Sequence, residues 1–153
     1  MTGRSVRALA VAIALSAAVP AHAALVASPK TAVEPAAMIA LADADPRRGH
    51  KGLYRMVVKS AAKPSAITFL NSQTDYRAAG DVTFSLSPAV AAALAKRLGK
   101  PPHEALVGRT VTVEGVLVRA AIVNTINQRA HSFNRWSYQV RIEQVAQIRE
   151  ISG

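Results

Sequence analysis

Residues 106–120 constrain the fold more than any other stretch of the chain. Val111 and Val113 alternate with polar residues there, which is the pattern of a β-strand with one buried face. Gly115 interrupts the pattern before apolar residues resume, and a glycine inside a strand often marks a bulge or a sharp bend. Because a bent strand can pair with different neighbours at its two ends, the sequence predicts a small sheet that curls into a barrel.

The composition favours a compact core and an anionic partner. Half of the 153 residues are apolar but only 5% are aromatic, which predicts a core of Val, Ile and Leu. The chain has no cysteine, so a disulfide framework and thiol chemistry are excluded. Its formal charge is +10, and +8 once Arg4 and Arg7 are removed with the leader described next. Such a charge suits nucleic acid, anionic lipid or a polyanionic glycan.

Residues 1–23 have the features of a secretory signal peptide. Arg4 and Arg7 give a positive start, and residues 8–19 are an apolar run too short to span a bilayer comfortably. Residues 21–23, Ala-His-Ala, match a small-x-small cleavage site. The alternative is an uncleaved membrane anchor. With cleavage, we expect a periplasmic or secreted protein without a transmembrane segment.

The next segment, residues 24–51, is predicted to be a flexible linker, although residues 36–42 have the composition of one or two helical turns. It lacks sustained periodicity and contains three prolines, Pro29, Pro35 and Pro46. The folded domain is predicted to cover residues 52–151.

Five strands and one helix are predicted within this domain. The strands are residues 53–59, 67–71, 81–87, 109–121 and 138–143, with a polar loop over residues 124–135 and a turn or short strand over residues 144–151. The helix is residues 88–98, because Ser87 is a good N-cap, Val90, Leu94 and Leu98 form one apolar stripe, and Gly99 ends it. A helix between the third and fourth of five strands is the plan of the OB fold, a mainly β Greek-key barrel. An open meander with a helix laid across it is the competing architecture.

Five stretches of the chain resemble a pattern in bacterial OB-fold domains of the nucleic-acid-binding type. The pattern runs Phe-Leu-Asn, acidic-aromatic-Arg, an Asp-initiated third strand, Gly-Lys/Arg-x-Val-x-Val-x-Gly and a closing Gln-Ile. It is matched by residues 67–71, 75–77, 81–84, 106–115 and 147–148. Such domains occur alone in exported proteins and beside thermonuclease-like domains. The resemblance implies an OB fold and binding of nucleic acid.

The sequence favours a protein without catalytic residues, metal or cofactor. It has no nucleophile elbow and no Gly-rich phosphate loop, and His50, His103 and His131 lack the spacing of a zinc site. Asp75 and Asp81 leave two alternatives open. Either they form a cation site of a metal-dependent nuclease, or Asp75 and Asn71 cap the turns of the loop with side-chain-to-backbone hydrogen bonds while Arg77 pairs with one of the aspartates.

The strongest candidate for ligand binding is the loop between the fourth and fifth predicted strands, because it interleaves arginines with aromatic residues. Single strands of nucleic acid bind by stacking on aromatic rings and by charge contacts to phosphates. The predicted ligand-binding residues are Arg55, Lys59, Lys63, Arg77, Arg129, Phe133, Arg135 and Trp136. In the alternative reading, Trp136 and Tyr138 belong to the core, since they share the parity of Val140.

These observations predict an exported, non-enzymatic OB-fold protein that binds single-stranded nucleic acid or another polyanion through this loop and a basic rim. The alternative is a structural or docking module that binds a protein of the cell envelope and has no role with nucleic acid.

Overall fold

The computed structural model describes residues 31–153. The predicted signal peptide, residues 1–23, lies outside the described residues, as do residues 24–30 of the predicted linker. The helices are α1 (Pro35–Ala44), α2 (Pro88–Leu98), α3 (Pro102–Ala105) and a short 3-10 helix (Val145–Gln147). The strands are β1 (His50–Val57), β2 (Ser60–Ala62), β3 (Thr68–Asn71), β4 (Val82–Leu86), β5 (Thr110–Ile126), β6 (Arg129–Ile142) and β7 (Ile148–Ser152).

One curled sheet contains all of these strands, in the order β1-β5-β6-β4-β3-β2, with β7 on β5. Only β4 and β6 run parallel; the other pairs are antiparallel. The first and last strands of this order are separated by only two residues. The Val58 amide donates to Arg109 O and the Lys59 amide to Asn71 O, so the chain changes neighbours at this point. The prediction of a mainly β, curled fold is confirmed, with seven strands in the described residues where five were predicted.

The bend predicted at Gly115 is confirmed by the pairing of β5. One edge of β5 pairs with β1 as far as Leu117, and the other edge pairs first with β7 and then, from Leu117 onward, with β6. A Cβ on Gly115 would lie 2.6 Å from Val140 Cγ1, so the close approach of β6 requires glycine here. The Gln147 side chain fills the gap between β7 and β6, because its Nε2 donates to Glu114 O and Arg141 O.

Helix α1 corrects the prediction of a flexible linker over residues 24–51. Its Met38 and Ala42 side chains lie in the hydrophobic core, where α1 packs against β1, β4, β5 and β6. Val33 also forms a bridge with Tyr54 of β1. The ordered part of the chain therefore begins before residue 52. Local sequence did not show this because tertiary burial, and not helix periodicity, holds α1 in place.

Helix α2 matches its prediction over residues 88–98. The Ser87 hydroxyl accepts from the Val90 amide, and Gly99 ends the helix with a positive φ of 72°. Val90 and Leu94 are buried in the core, and Leu98 packs against its margin. None of the helices in the described part of the chain has the length and apolar character needed to cross a membrane.

The predicted polar loop over residues 124–135 is wrong. Strands β5 and β6 stay paired to Ile126 and Arg129 and are joined by Asn127 and Gln128, both with positive φ. The loop was predicted because this turn lacks the glycine that usually marks a two-residue hairpin. Within the described chain, β1 begins opposite Leu117 and β4 begins opposite Tyr138, so beyond these two residues the hairpin consists of β5 and β6 alone. We call residues 118–137 the arm.

Candidate functional site

The two faces of the arm carry different residues, because side chains alternate along each strand. Trp136 pairs with Ala121 and shares a face with the buried Tyr138; we call this the inner face. Arg135 pairs with Ile122 on the opposite, outer face. The bulge after Ile122 brings Phe133 onto the inner face, where its ring centroid lies 5.1 Å from that of Trp136.

The inner face is tied to α1 through one carboxylate. Asp43 accepts from Arg119 Nη1 at 2.8 Å and from the Tyr138 hydroxyl at 2.9 Å. The Arg119 guanidinium in turn lies 3.8 Å from the centroid of the Trp136 ring. The pKa of Tyr138 is raised above its ordinary value, mainly by burial and secondly by the contact with Asp43. These contacts give the arginine a structural role, because its charge is already paired and its stacking face is already occupied.

The outer face carries a different cluster, formed by Tyr76, Arg77 and Arg135. The Tyr76 ring is 47% exposed, and the guanidinium carbons of Arg77 and Arg135 lie 4.6 Å and 5.4 Å from its centroid. Both distances allow cation–π attraction. Neither arginine forms an ion pair with a carboxylate within the described residues. Two positive charges from separate parts of the chain therefore flank one accessible aromatic ring.

This cluster lies at the rim of a cleft of about 350 Å³, which we call the Tyr76 cleft. Its floor is the outer face of β3, β4 and β6, and its rims are the segment after β2 and the base of the arm. The lining residues are Ala62, Pro64, Phe69, Asn71, Tyr76, Thr83, Ile122, Arg135, Ser137 and Gln139. An aromatic ring and a cation at the rim, with amides and hydroxyls along the floor, suit a ligand that is both planar and anionic.

The loop that carries Tyr76 is held by Asp81. One oxygen of Asp81 accepts from the Gln73 amide at 2.9 Å and from the Ser72 hydroxyl at 3.3 Å, and the other accepts from the Thr83 hydroxyl at 3.1 Å. Burial raises the pKa of the Asp81 carboxyl above its ordinary value, and these hydrogen bonds oppose that rise. The carboxylate is therefore engaged in the structure of the loop.

Asp75 has a related role, since its Oδ1 accepts from the Arg77 amide at 2.9 Å in a local turn. The interpretation of Asp75 as a residue that caps its own turn is confirmed by this contact. The same prediction for Asn71 is wrong, because its side chain donates to the Ser60 hydroxyl and accepts from the Thr83 hydroxyl. The expected pairing of Arg77 with an aspartate is wrong, because its guanidinium stacks on Tyr76 instead. In the region that the structure describes, no group of three or more His, Asp or Glu side chains could hold a metal ion.

The structure brings only two of the eight predicted ligand-binding residues, Arg77 and Arg135, to one cluster. The others are distributed around the molecule: Arg55 pairs with Glu34 at 2.6 Å, Lys59 reaches Gln73 at 3.4 Å, Lys63 lines a separate cleft beside α2 and α3, Arg129 follows the turn of the arm, and Phe133 and Trp136 are on the inner face. Because side chains alternate along a strand, a strand prediction for this segment would have placed Arg135 and Trp136 on opposite faces. The interpretation of Tyr138 as core is confirmed, whereas Trp136 remains 44% exposed.

Two residues at the centre of these contacts, the candidate binding residue Tyr76 and the structural residue Arg119, were absent from that prediction. Tyr76 directly precedes Arg77 in the sequence, and this aromatic-basic pair was an available signal. Arg119 gave no local signal, because its partner Asp43 lies 76 residues away in a segment predicted to be a linker.

Most of the positive charge is available for a partner. Among the lysines and arginines of residues 31–153, only Arg55, Arg119 and Arg149 form ion pairs with carboxylates. Residues 115–142, which include the whole arm, contain four arginines and no carboxylate. This segment therefore carries a net positive charge.

Comparisons with known proteins yield little. No family model matches the chain, and no curated protein matches it. Among solved structures, it aligns with a chain described as an aspartyl-tRNA synthetase from Leishmania major Friedlin, with 14% identity and a TM-score of 0.38. The alignment covers 88% of this chain and 23% of that one, so the chain spans about a quarter of the protein it matches.

Proposed function

We propose that this chain is an exported OB-fold protein of the type that the sequence resembles, and that it binds single-stranded nucleic acid in the Tyr76 cleft without catalysing a reaction. The strand order supports the fold. In an OB barrel, five strands form a Greek key in which the first strand is shared between two neighbours. Here β1 and β2 together correspond to the first strand of an OB fold. The strands β4 and β6 correspond to its third and fifth strands, and they pair in parallel.

The position of the Tyr76 cleft supports a binding role. OB folds bind oligonucleotides and oligosaccharides on the face of their second and third strands, between the loops that follow the first and fourth strands. Those strands correspond to β3 and β4, and those loops to the segment after β2 and to the arm. The Tyr76 cleft lies on this face.

The single observation that carries the ligand class is the Tyr76, Arg77 and Arg135 cluster. Stacking of a base on an aromatic ring contributes about 1–3 kcal/mol and tolerates any base, because every base has a π-face. The two arginines, which lack carboxylate partners, would contact the phosphates on either side of that base. A duplex keeps its bases stacked on each other, so the Tyr76 ring would favour a single strand.

Fluorescence anisotropy with a labelled thymidine 12-mer tests this proposal. We expect the affinity to fall steeply with salt, since each phosphate neutralised on a single strand contributes about −0.7 to the log–log slope. Tyr76→Ala should weaken binding by about 5-fold to 150-fold, the equivalent of one stacking contact. Arg97→Ala, which removes an exposed arginine at the end of α2, is the matched control and should leave the affinity unchanged.

Two results would contradict the proposal. One is the absence of binding at low salt. The other is equal affinity of the wild type and Tyr76→Ala, which would reduce the interaction to general attraction between opposite charges. A duplex of the same length and heparin serve as competitors, and we expect both to compete less well than the single strand.

A further inference from the structure

A second and larger cleft lies beside the Tyr76 cleft, on the other half of the outer face. Its volume is about 690 Å³, and we call it the Arg141 cleft. The floor is the outer face of β5 and β6, with Val116, Val118 and Ala120 pointing into it. The 3-10 helix and β7 form one wall, and Lys51 of β1 lies at the other side. The proposed function does not use this cleft.

The wall of the Arg141 cleft is fixed by hydrogen bonds. Gln147 Nε2 donates to the main-chain oxygens of Glu114 and Arg141, and its Oε1 accepts from the amides of Glu143 and Gln144. Four contacts to one side chain hold the 3-10 helix against β5 and β6. The cleft is therefore already formed without a ligand, and little ordering of the wall is required for binding.

The charges in the Arg141 cleft favour an anion. Glu114 is engaged by Arg149 at 2.5 Å. The side chains of Arg141 and Lys51 form no ion pair within residues 31–153. Glu143 is the remaining carboxylate of the lining, and it is exposed at the rim. With Arg149 and Glu114 paired to each other, two cations of the lining, Arg141 and Lys51, remain against one carboxylate, Glu143.

The two clefts adjoin each other at β6. Gln139 lines both of them, and the outward residues of β6 run in sequence from Arg135 through Ser137 and Gln139 to Arg141. The two arginines are six positions apart on the strand, which corresponds to about 20 Å at about 3.3 Å per residue. A stacked strand of nucleic acid advances by about 3.4 Å per nucleotide, so about six nucleotides span that distance.

We infer that the Arg141 cleft is the second half of one binding track, in which a single strand held at Tyr76 crosses β6 over Gln139 and places a phosphate at Arg141. The inference rests on the proposed function. It adds the path that the strand follows and the minimum length of strand that reaches Arg141. A strand of three nucleotides would occupy the Tyr76 cleft alone, whereas a strand of eight or more would reach Arg141.

A length series of labelled thymidine oligomers, from 3 to 12 nucleotides, tests the track by anisotropy. A longer oligomer can place more of its nucleotides at one site, and this alone raises its apparent affinity. For the wild type we expect the affinity to rise between the 3-mer and the 8-mer by more than this statistical effect. Arg141→Ala should bind the 3-mer like the wild type and lose most of that rise, and its salt slope for the 12-mer should be smaller by about 0.7. Arg97→Ala serves again as the matched control, with circular dichroism to verify the fold of each variant.

The outcomes separate the two proposals. If the wild type binds the 12-mer and Arg141→Ala binds every length equally well, the track is overturned while the proposed function stands. If Arg141→Ala weakens the 3-mer as much as the 12-mer, the cleft is not a distal subsite and the track is again overturned. If the wild type binds no oligomer of any length, the proposed function itself fails.

Discussion

The inner and outer faces of the arm are built from the same two strands, yet their arginines have opposite roles. Arg119 on the inner face is held by Asp43 and covers the Trp136 ring. Arg135 on the outer face has only a 3.4 Å contact to Asn134 and the Tyr76 ring nearby. One guanidinium joins the arm to α1, and the other faces the Tyr76 cleft.

This difference shows that residue type alone did not identify the binding surface. Trp136 is the only tryptophan of the chain and the most obvious stacking residue in the sequence, but its neighbours are Arg119 and Phe133. Tyr76 is a less conspicuous residue whose neighbours are two arginines without carboxylate partners. What an aromatic ring can bind therefore depends on which protein groups already lie against it.

The largest effect is expected from breaking the contact of α1 with the core, on which the inner face depends. Met38→Ala should lower the free energy of unfolding by about 2–5 kcal/mol, because a fully buried side chain is replaced by a cavity. Urea denaturation followed by Trp136 fluorescence measures this. Leu41→Ala, at an exposed position of the same helix, is the control and should cost much less. Equal losses from both variants would show that α1 is not seated as described.

Replacing each of the two arginines by alanine, one at a time, tests whether the two faces have different roles. Arg135→Ala should weaken binding of the 12-mer about tenfold, since a charge-assisted contact is lost, and should leave stability within about 0.5 kcal/mol of the wild type. Arg119→Ala should do the reverse, with a loss of about 1–2 kcal/mol of stability and nearly unchanged affinity. Anisotropy and urea denaturation of the two variants measure both quantities. The opposite assignment of effects would place the ligand on the inner face.

A smaller effect is expected at Tyr138, whose hydroxyl donates to the same carboxylate as Arg119. Tyr138→Phe removes that hydrogen bond and should lower the free energy of unfolding by about 1 kcal/mol without affecting binding. The double variant with Asp43→Asn measures the coupling between the two residues. Fully additive losses would mean that the hydroxyl does not contribute through Asp43.

The smallest effect concerns the dependence of stability on pH in the loop that carries Tyr76. Because the pKa of Asp81 is raised in the folded state, folded protein binds this proton more tightly than unfolded protein does. Protonation therefore adds stability as the pH falls from neutral through the raised pKa, and the gain is complete below the ordinary carboxyl pKa. Relative to Asp81→Asn, the wild type should gain stability between pH 7 and pH 4 in urea denaturation.

Asp75→Asn is the control for this pH series, because it removes a carboxylate from the same loop. If the wild type instead loses stability relative to Asp81→Asn on acidification, the hydrogen bonds to Asp81 outweigh its burial. The loop would then be held by a buried negative charge, contrary to the direction given above.

The elements predicted correctly from the sequence are those with local signals. Helix α2 has its capping serine and terminal glycine, and the bend in β5 is marked by Gly115. The arm was predicted as a loop because its polar residues hide a strand pattern and its turn, Asn127 and Gln128, has no glycine. Helix α1 was predicted as linker because only contacts with distant strands reveal why Met38 is buried.

In the candidate site, too, residues with a local signal were found from the sequence and contacts between distant residues were not. Arg135 and Arg77 were both named as ligand-binding candidates, Arg135 because aromatic residues interleave with it and Arg77 with an aspartate as its expected partner. The ring that joins them lies in the loop between β3 and β4, whereas Arg135 lies in β6, and no spacing in the sequence predicts a contact between residues 76 and 135. Trp136 and Arg135 were both predicted to bind the ligand, but they lie on opposite faces because adjacent residues of a strand point in opposite directions.

The most direct test of the central claim is a map of amide chemical shifts during titration with a thymidine 8-mer. The account predicts the largest changes at Tyr76, Arg77, Arg135 and Gln139, with smaller ones at Arg141 and none at Asp43 or Phe133. Changes concentrated instead on α1 and the inner face of the arm, around Trp136, would contradict it.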